Sequence, residues 1–290
     1  MSRKKMSPTE WRNLLNEESD RCSNFDGRVS VNVSGGAGSA IAWKRCLKWY
    51  GKDRVVPVFA DTKSEHPDLY RFLDDLENKF DQKIERLSEG HDIWDVFFKS
   101  RMIKVLHAGG ACKASIELKH KPLAKHFEQS GCSAIAVGIE GTEGERIRDF
   151  KAKIDHVLFP LACRPLLSEC DIKTKIQEMG IKLPQLYHDN YSHNNCAGFC
   201  VLAGIGQWAE NLKRDPEMFS DFEQKEQKFI ELVGYEFSIL RDQRGGTPRP
   251  YTLKQLREDV ESGREFGNDW RSQCLCMTPQ PRLFSLDDCF

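Results

Sequence analysis

The chain has 290 residues, and its 43 Lys and Arg residues nearly balance its 44 Asp and Glu residues. A formal net charge of -1 argues against a protein that coats nucleic acid through bulk positive charge. No apolar run approaches the roughly 18 residues of a membrane span, and no apolar segment follows the basic N-terminus as in a signal peptide. We therefore expect a soluble cytoplasmic protein without membrane contact, built as two domains or as one large α/β domain with an appendage.

The hydrophobic pattern predicts an α/β protein. A polar arm with an amphipathic helix from Thr9 to Glu18 precedes a series of strands and helices. Strands are predicted at 28–33, 54–60, 134–139 and 157–161, and helices at 40–50, 67–80 and 121–129. A strand, a glycine turn, a helix and a second strand in direct succession form a βαβ unit, so we expect a mostly parallel sheet.

After residue 165 the pattern changes to helices and turns, with helices predicted at 171–179, 201–213, 216–233 and 253–261. No internal repeat and no low-complexity linker marks this change. The predicted organisation is an N-terminal helical arm (1–25), a Rossmann-like parallel-sheet domain (26–165) and a mostly helical C-terminal region (166–290).

A glycine-rich turn, Ser34–Ser39, joins the first strand of the βαβ unit to its helix. Such a turn can place backbone N–H groups and the positive end of a helix around a phosphate. It lacks the lysine and spacing of a Walker A loop. Gly36 and Gly38 fit the Rossmann pattern G-x-G-x-x-G, with Asp61 where a ribose-binding acid would lie, but Ile41 stands at the third glycine. The turn matches in full the SGGxxS loop of PP-loop nucleotide-binding enzymes, and a tight turn without a ligand is the remaining alternative.

Further segments follow this loop in the order and spacing of one family. From about Arg28 to about Cys200 the chain resembles the phosphoadenosine phosphosulfate (PAPS) reductase family of the PP-loop group. Besides the loop, the segments are Phe59–Thr62 with Glu65–Pro67 and Phe72 ("DT…E.P…F"), Cys112, Lys113, Lys119, Pro122 and Leu123 ("C…K..PL"), Gly138–Glu140 with Glu143, Glu145 and Arg146 ("G.R..E..R"), and Phe159–Leu161 with Tyr191–Cys200 ("PL…Y…C..C").

The resemblance implies an adenine nucleotide across the carboxyl ends of the parallel strands, where open sheets bind their ligands. Its adenine would lie near Phe59, Asp61 and Thr62. Its phosphates would lie in the loop, where the contact residues are Ser34, Gly35, Gly36, Gly38 and Ser39.

The resemblance also assigns charged groups to the anionic end of the nucleotide. Lys113, Arg146 and Arg148 would pair with phosphate or sulfate, although Arg148 fits a solvated surface cation equally well. Glu143 and Glu145 would either hold a metal such as Mg²⁺ or orient Arg146. The expected catalytic residues are Lys113, Arg146 and Glu143.

Two departures from the family bear on the reaction. The C-terminal ECG(L/I)H motif, which carries the reductases' redox-active cysteine, is absent, and Cys289 lacks the flanking Gly and His. Gly38 stands where ATP-using members usually have Asp. The sequence slightly favours an ATP pyrophosphatase that adenylates an acceptor in sulfur transfer. A thiol-dependent PAPS reductase and a catalytically silent nucleotide sensor or scaffold stay open.

The chain has 11 cysteines, and with no export signal these favour reduced thiols and a metal site over disulfides. The two tightest clusters, Cys196-x₃-Cys200 and Cys274-x-Cys276, would together bind zinc or an iron–sulfur cluster. By the family resemblance, Cys112 with Cys196 and Cys200 is an alternative ligand set, and His193 is a further ligand candidate. The cysteines expected to be small buried hydrophobic residues are Cys22, Cys46, Cys132, Cys163 and Cys170.

The glycine-rich basic stretch Gln243–Pro250 is either a plain connecting loop or a contact for nucleic acid or nucleotide phosphate. The predicted partners of the chain are an adenine nucleotide and a sulfur-donor or redox protein. Nucleic acid and a second copy of the chain, forming a homodimer, stay open as partners.

Overall fold

The computed structural model describes residues 5–105, 111–191, 193–243 and 246–266. In chain order the strands are β1 (Val29–Asn32), β2 (Val55–Ala60), β3 (Glu85–Leu87), β4 (Lys104–Val105), β5 (Ala111–Cys112), β6 (Ala134–Ala136), β7 (Val157–Leu158), β8 (Leu240–Asp242) and β9 (Arg249–Tyr251). The helices are α1 (Pro8–Ser23), α2 (Ala37–Tyr50), α3 (Pro67–Phe80), α4 (Ile93–Ser100), α5 (Lys113–Ser115), α6 (Lys121–Gln129), α7 (Gly144–Lys151), α8 (Glu169–Glu178), α9 (Gln185–His188), α10 (Ile205–Arg214), α11 (Pro216–Val233) and α12 (Leu253–Glu261).

Five strands form a parallel sheet in the order β3-β2-β1-β6-β7. β1 lies in the centre, where Val29 pairs with Val55 on one side and with Ala134 on the other. The chain runs outward from β1 through β2 to β3 and then returns to place β6 on the opposite side. This reversal makes the carboxyl end of β1 a topological switch point, the position at which open parallel sheets bind ligands. The predicted α/β fold with a parallel sheet is confirmed.

Two apolar clusters are the largest in the described residues. The first packs β1, β2 and α2 against α3 and α8, with Trp43 fully buried in it. The second joins α4 to α10, α11 and α12 around Phe199 and Trp208. The C-terminal helices therefore pack on the segment between β3 and β4, and the domain boundary at residue 165 stays a prediction. None of the helices in the described ranges combines the length and the apolar character that crossing a bilayer requires.

The start of α2 differs from the prediction. The helix begins at Ala37 rather than at residue 40, because Gly36 has an extended backbone and forms the N-cap. Gly38 and Ser39 therefore belong to the first helical turn, and the loop that precedes the helix is correspondingly short. This brings the amides of that turn, which have no partner within the helix, closer to the end of β1 than the sequence suggested.

Three of the five cysteines expected to be buried are so, namely Cys22, Cys46 and Cys163. The prediction was wrong for Cys132, which is half-buried, and for Cys170, which is exposed. Cys170 lies near the start of α8, whose buried face is formed instead by Ile172 and Ile176.

Candidate functional site

The glycine loop forms a tight turn between β1 and α2. Gly35 has φ +77°, a conformation that residues with a side chain rarely adopt, and a Cβ there would lie 2.6 Å from the side chain of Leu69. The Ser39 hydroxyl accepts a hydrogen bond from the Ser34 amide at 3.1 Å and donates one to the Gly36 carbonyl at 2.8 Å. These contacts hold the loop against the first turn of α2.

The first turn of α2 packs directly on the end of β6. A Cβ at Gly138 would lie 2.7 Å from the Ser39 amide nitrogen, and a Cβ at Gly38 would lie 3.1 Å from the Gly138 carbonyl oxygen. Only glycine fits at Gly138 without moving the loop. The segment that follows β6 is therefore held beside the N-terminus of α2, where the partial positive charge of the helix favours anions.

A cavity of about 360 Å³ opens at this point, at the carboxyl ends of β1 and β6. One wall is the glycine loop with the N-terminus of α2, and the other walls come from the segment after β6, from α7 and α8, and from the chain after α9. The side chains and backbone groups that line it include Ser34, Gly36, Gly38, Ser39, Glu140, Glu143, Arg146, Glu169, Lys173, Tyr187, His193 and Asn194.

Arg146 is the arginine that the structure brings to this cavity. Its guanidinium pairs with the Glu143 carboxylate at 2.8 Å, which orients it within the cavity wall. Glu145 turns away and accepts a hydrogen bond from the Met6 amide at 3.0 Å. Of the two roles predicted for these glutamates, the contacts favour orientation of Arg146 by Glu143.

Lys113 and Arg148 lie elsewhere. Lys113 pairs with Glu117 at 2.7 Å, and Arg148 pairs with Asp149 at 3.1 Å. Neither belongs to the lining of the 360 Å³ cavity. A phosphate-binding role for either residue stays a prediction.

Glu140 is an acidic residue in the cavity wall to which the sequence assigned no role. It occupies the position of the first Arg in the family pattern "G.R..E..R". Burial, and then the neighbouring carboxylates of Glu143 and Glu169, raise the pKa of Glu140 to about 7, against smaller opposing effects of Thr142 and Lys173. The carboxyl group is therefore partly protonated near neutral pH.

The residues expected around adenine lie on the other side of the loop. Phe59 lines a separate cavity of about 20 Å³ with Ser34 and Lys119, a space for about one water molecule. Asp61 accepts hydrogen bonds from the Lys63 amide and the Tyr70 hydroxyl. Contact of Phe59, Asp61 and Thr62 with adenine stays a prediction.

Lys119 and Glu65 form a buried ion pair next to Thr62. Lys119, in a π-helical turn between α5 and α6, lies 2.9 Å from the Glu65 carboxylate, whose side chain is fully buried. Glu65 also accepts hydrogen bonds from the Thr62 hydroxyl at 3.1 Å and the Cys196 amide at 2.6 Å. Lys119 and Glu65 both belong to the family segments of the sequence, but only the tertiary structure shows that they contact each other and form one hydrogen-bonded network.

Three side chains after α8 reach the cavity: His193 and Asn194, which lie in the family segment Tyr191–Cys200, and Tyr187, to which no sequence motif pointed. The Tyr187 hydroxyl accepts a hydrogen bond from the Ala37 amide at 3.1 Å, at the N-terminus of α2. The Asn194 amide group donates to the Gly35 carbonyl at 2.9 Å. Within the described residues, the Oδ1 atom of Asn194 and the Nδ1 atom of His193 are buried without a hydrogen-bond partner.

The structure places Cys196 and Cys200 beside Cys112, which is the alternative set of the sequence analysis. All three line a cavity of about 20 Å³. The hydrogen bond with Cys200 and burial raise the pKa of Cys196 well above the usual thiol value, and burial raises that of Cys112 to about 12. Cys274, Cys276 and Cys289 lie outside the described residues.

Comparison with known proteins identifies the family. The phosphoadenosine phosphosulfate reductase domain matches residues 28–197. No curated protein sequence matches the chain. A structure of phosphoadenylyl-sulfate (PAPS) reductase from Candida auris, a phosphate complex, is similar at a TM-score of 0.43 and 13% identity over 67% of this chain and 98% of that one. NMN synthetase from Francisella tularensis is similar at a TM-score of 0.42 and 12% identity over 92% of this chain and 90% of that one.

The match to the family covers the glycine loop, the Glu65–Lys119 pair, Arg146 and the segment up to Ala197. It therefore contains the sheet and most of the walls of the 360 Å³ cavity. The chain belongs to the phosphoadenosine phosphosulfate reductase domain family, and its sheet is a PP-loop nucleotide-binding domain.

Proposed function

We propose that this chain binds ATP with its phosphates at the glycine loop and cleaves it between the α- and β-phosphates, thereby adenylating an acceptor in sulfur transfer. The observation that carries the proposal is the 360 Å³ cavity in which the N-terminus of α2 and Arg146 converge. Backbone amides and a guanidinium are the groups that stabilise the negative charge growing on pyrophosphate as it leaves.

One feature supports ATP over PAPS. Reduction of PAPS needs a thiolate that attacks the sulfonate sulfur. Within the described residues, no cysteine lines this cavity.

The thiol-dependent PAPS reductase remains the second candidate, because the family match favours it. In that case a cysteine outside the described residues, such as Cys289, or a partner protein would supply the thiolate. A nucleotide sensor without catalysis is the third candidate, since the cavity alone suffices for binding.

The predicted metal cofactor fits the described residues poorly. Four thiolates or an equivalent donor set are needed for zinc or an iron–sulfur cluster. Among the described residues, no three Cys, His, Asp or Glu side chains have the arrangement that holds a metal ion. A site of Cys196 and Cys200 with Cys274 and Cys276 stays a prediction, no step of the reaction is derived through it, and no residue is assigned to Mg²⁺.

Assays of the full chain, purified anaerobically, test these candidates. Pyrophosphate and AMP released from ATP with Mg²⁺ would support the proposed function. Sulfite released from PAPS in the presence of dithiothreitol would instead indicate the reductase. Tight binding of ATP without turnover of either nucleotide would indicate the sensor. Metal and acid-labile sulfide analysis of the same sample tests the cysteine site separately.

A further inference from the structure

Glu140 lies at the edge of the phosphate cradle. Gly138, two residues before it, touches the first turn of α2, so the chain cannot carry Glu140 far from the glycine loop. Glu140 lines the same cavity as Gly36 and Ser39. Glu140 thus lines the space in which the loop would hold the phosphates of a nucleotide.

The cations of this cavity are engaged with other carboxylates. The charged and titratable side chains that line it with Glu140 are Glu143 and Arg146 of α7, Glu169 and Lys173 of α8, and Tyr187 and His193. Arg146 pairs with Glu143 at 2.8 Å, and Lys173 pairs with Glu169 at 2.6 Å. Among the described residues no Lys, Arg or His forms an ion pair with Glu140. Its carboxyl group, which has a hydrogen bond with Thr142, is therefore not neutralised by a paired cation.

Asn194 gives a second, independent indication of a ligand here. Asn194 is only 2% exposed and lines the same cavity. Its Nδ2 atom donates a hydrogen bond to the Gly35 carbonyl. Its Oδ1 atom has no hydrogen-bond partner within the described residues. A buried carbonyl oxygen in this state calls for a donor, such as the N–H or O–H of a bound substrate.

We propose that Glu140 is the general base that takes the proton from the acceptor as the acceptor attacks the α-phosphorus of ATP, and that the attacking group of this acceptor is an uncharged N–H, O–H or S–H nucleophile. In this step the bond from the acceptor to the α-phosphorus forms and the α–β P–O bond breaks. Pyrophosphate leaves, the proton passes to the Glu140 carboxylate, and no atom changes its oxidation state. The inference rests on the proposed function.

The surroundings of Glu140 suit this role. A base works best when its pKa lies near the pH at which the enzyme operates, and the pKa of Glu140 is raised to about 7. The carboxylates of Glu140, Glu143 and Glu169 disfavour an anionic acceptor by repulsion. Glu140 and Asn194 thus select acceptors that donate hydrogen bonds.

Pyrophosphate release from ATP with water as the acceptor tests the assignment across the pH range from about 5 to about 9. In the wild type the rate should increase with pH around a midpoint near pH 7, because Glu140 must be ionised to act as a base. Glu140→Gln should lower kcat about a hundredfold or more and leave the KM for ATP within about threefold of the wild-type value. It should also abolish the increase of the rate with pH around pH 7. Glu178→Gln, an exposed glutamate at the end of α8, is the control and should keep the wild-type profile.

The outcomes separate the base from the proposed function. If the wild type releases pyrophosphate and Glu140→Gln keeps the wild-type rate or the increase of that rate with pH, Glu140 is not the base, although the proposed function stands. If the wild type binds ATP and releases no pyrophosphate at any pH, both are overturned. Circular dichroism and ATP binding by Glu140→Gln ensure that a lost rate does not come from a misfolded protein.

Discussion

The Cys196 backbone amide donates a 2.6 Å hydrogen bond to the Glu65 carboxylate, which joins two segments 131 residues apart. Two residues earlier, Asn194 donates to the Gly35 carbonyl of the glycine loop. The chain from Asn194 to Cys196 is therefore fastened both to the loop and to the buried Glu65–Lys119 pair. The position of this segment over the candidate nucleotide site depends on that carboxylate.

Replacing Glu65 should destabilise the protein strongly. Glu65→Gln removes the carboxylate that faces the buried Lys119 ammonium, and breaking a buried pair in this way costs about 3–5 kcal/mol of unfolding free energy. Glu117→Gln is the matched control, because its pairs with Lys113 and Lys121 are partly exposed and each is worth about 1 kcal/mol or less. Urea unfolding followed by fluorescence measures both, and equal losses would contradict a structural role for the buried pair.

Gly36→Asp should weaken nucleotide binding. The added carboxylate would stand at the N-cap of α2, where phosphate is expected, and its Cβ would lie 3.3 Å from the Tyr187 hydroxyl. We expect the Kd for ATP to rise at least about tenfold, or ~1.4 kcal/mol. Gly204→Asp adds the same charge at another glycine N-cap, that of α10, and should leave the Kd unchanged. Isothermal titration calorimetry compares the two, and an unchanged Kd for Gly36→Asp would mean that phosphate does not bind at this loop.

Glu226 should make the protein less stable as the pH rises. Its carboxylate accepts hydrogen bonds from the Ile239 and Leu253 amides at 2.7 Å, yet burial dominates and raises its pKa to about 7. The folded state then holds a proton more tightly than the unfolded state, in which the pKa of this group is near the ordinary glutamate value of 4.5. Stability from this group is complete below about pH 4.5 and falls by about 3 kcal/mol as the pH rises to about 7.

Thermal unfolding at about pH 5 and about pH 8 tests this dependence. The wild type should have the higher Tm at the lower pH. Glu226→Gln cannot ionise at this position, so the difference between its two Tm values should shrink. The remainder comes from Glu140, whose pKa is raised in the same direction, and from His66 and His156, whose pKa values burial lowers and which act in the opposite direction. A difference of unchanged size would show that Glu226 titrates with an ordinary pKa.

The thiols beside Glu65 should react slowly with alkylating reagents. Cys112 and Cys196 have raised pKa values, and the thiolate is the reactive form. Cys170 is exposed and serves as the internal reference. Iodoacetamide at neutral pH followed by peptide mass spectrometry should label Cys170 first, and should label Cys112 and Cys196 only after unfolding in urea. Rapid labelling of Cys196 in the native protein would mean that it is an activated thiol.

Long, strongly periodic elements were predictable from the sequence. The helices α3, α6, α11 and α12 have the predicted bounds, and the structure also contains the four predicted strands of the sheet. The short helix α4 was not predicted, because its eight residues make only about two turns, although its buried residues Ile93, Trp94, Val96 and Phe97 have helical spacing. The strand β3 was not predicted either, since Glu85 and Arg86 face solvent at the edge of the sheet.

The sequence by itself determined the parallel sheet and the glycine loop, because both depend on neighbouring residues: a strand, three glycines and a helix in direct succession. Only the tertiary structure decided which side chains meet that loop. Glu140, Tyr187 and Asn194 come from segments far apart in the chain, and it is the packing of β6 and of the chain after α8 against α2 that brings them together. The same packing sets the charge of Glu140, since burial and the neighbouring carboxylates, rather than residue type, raise the pKa of its carboxyl group.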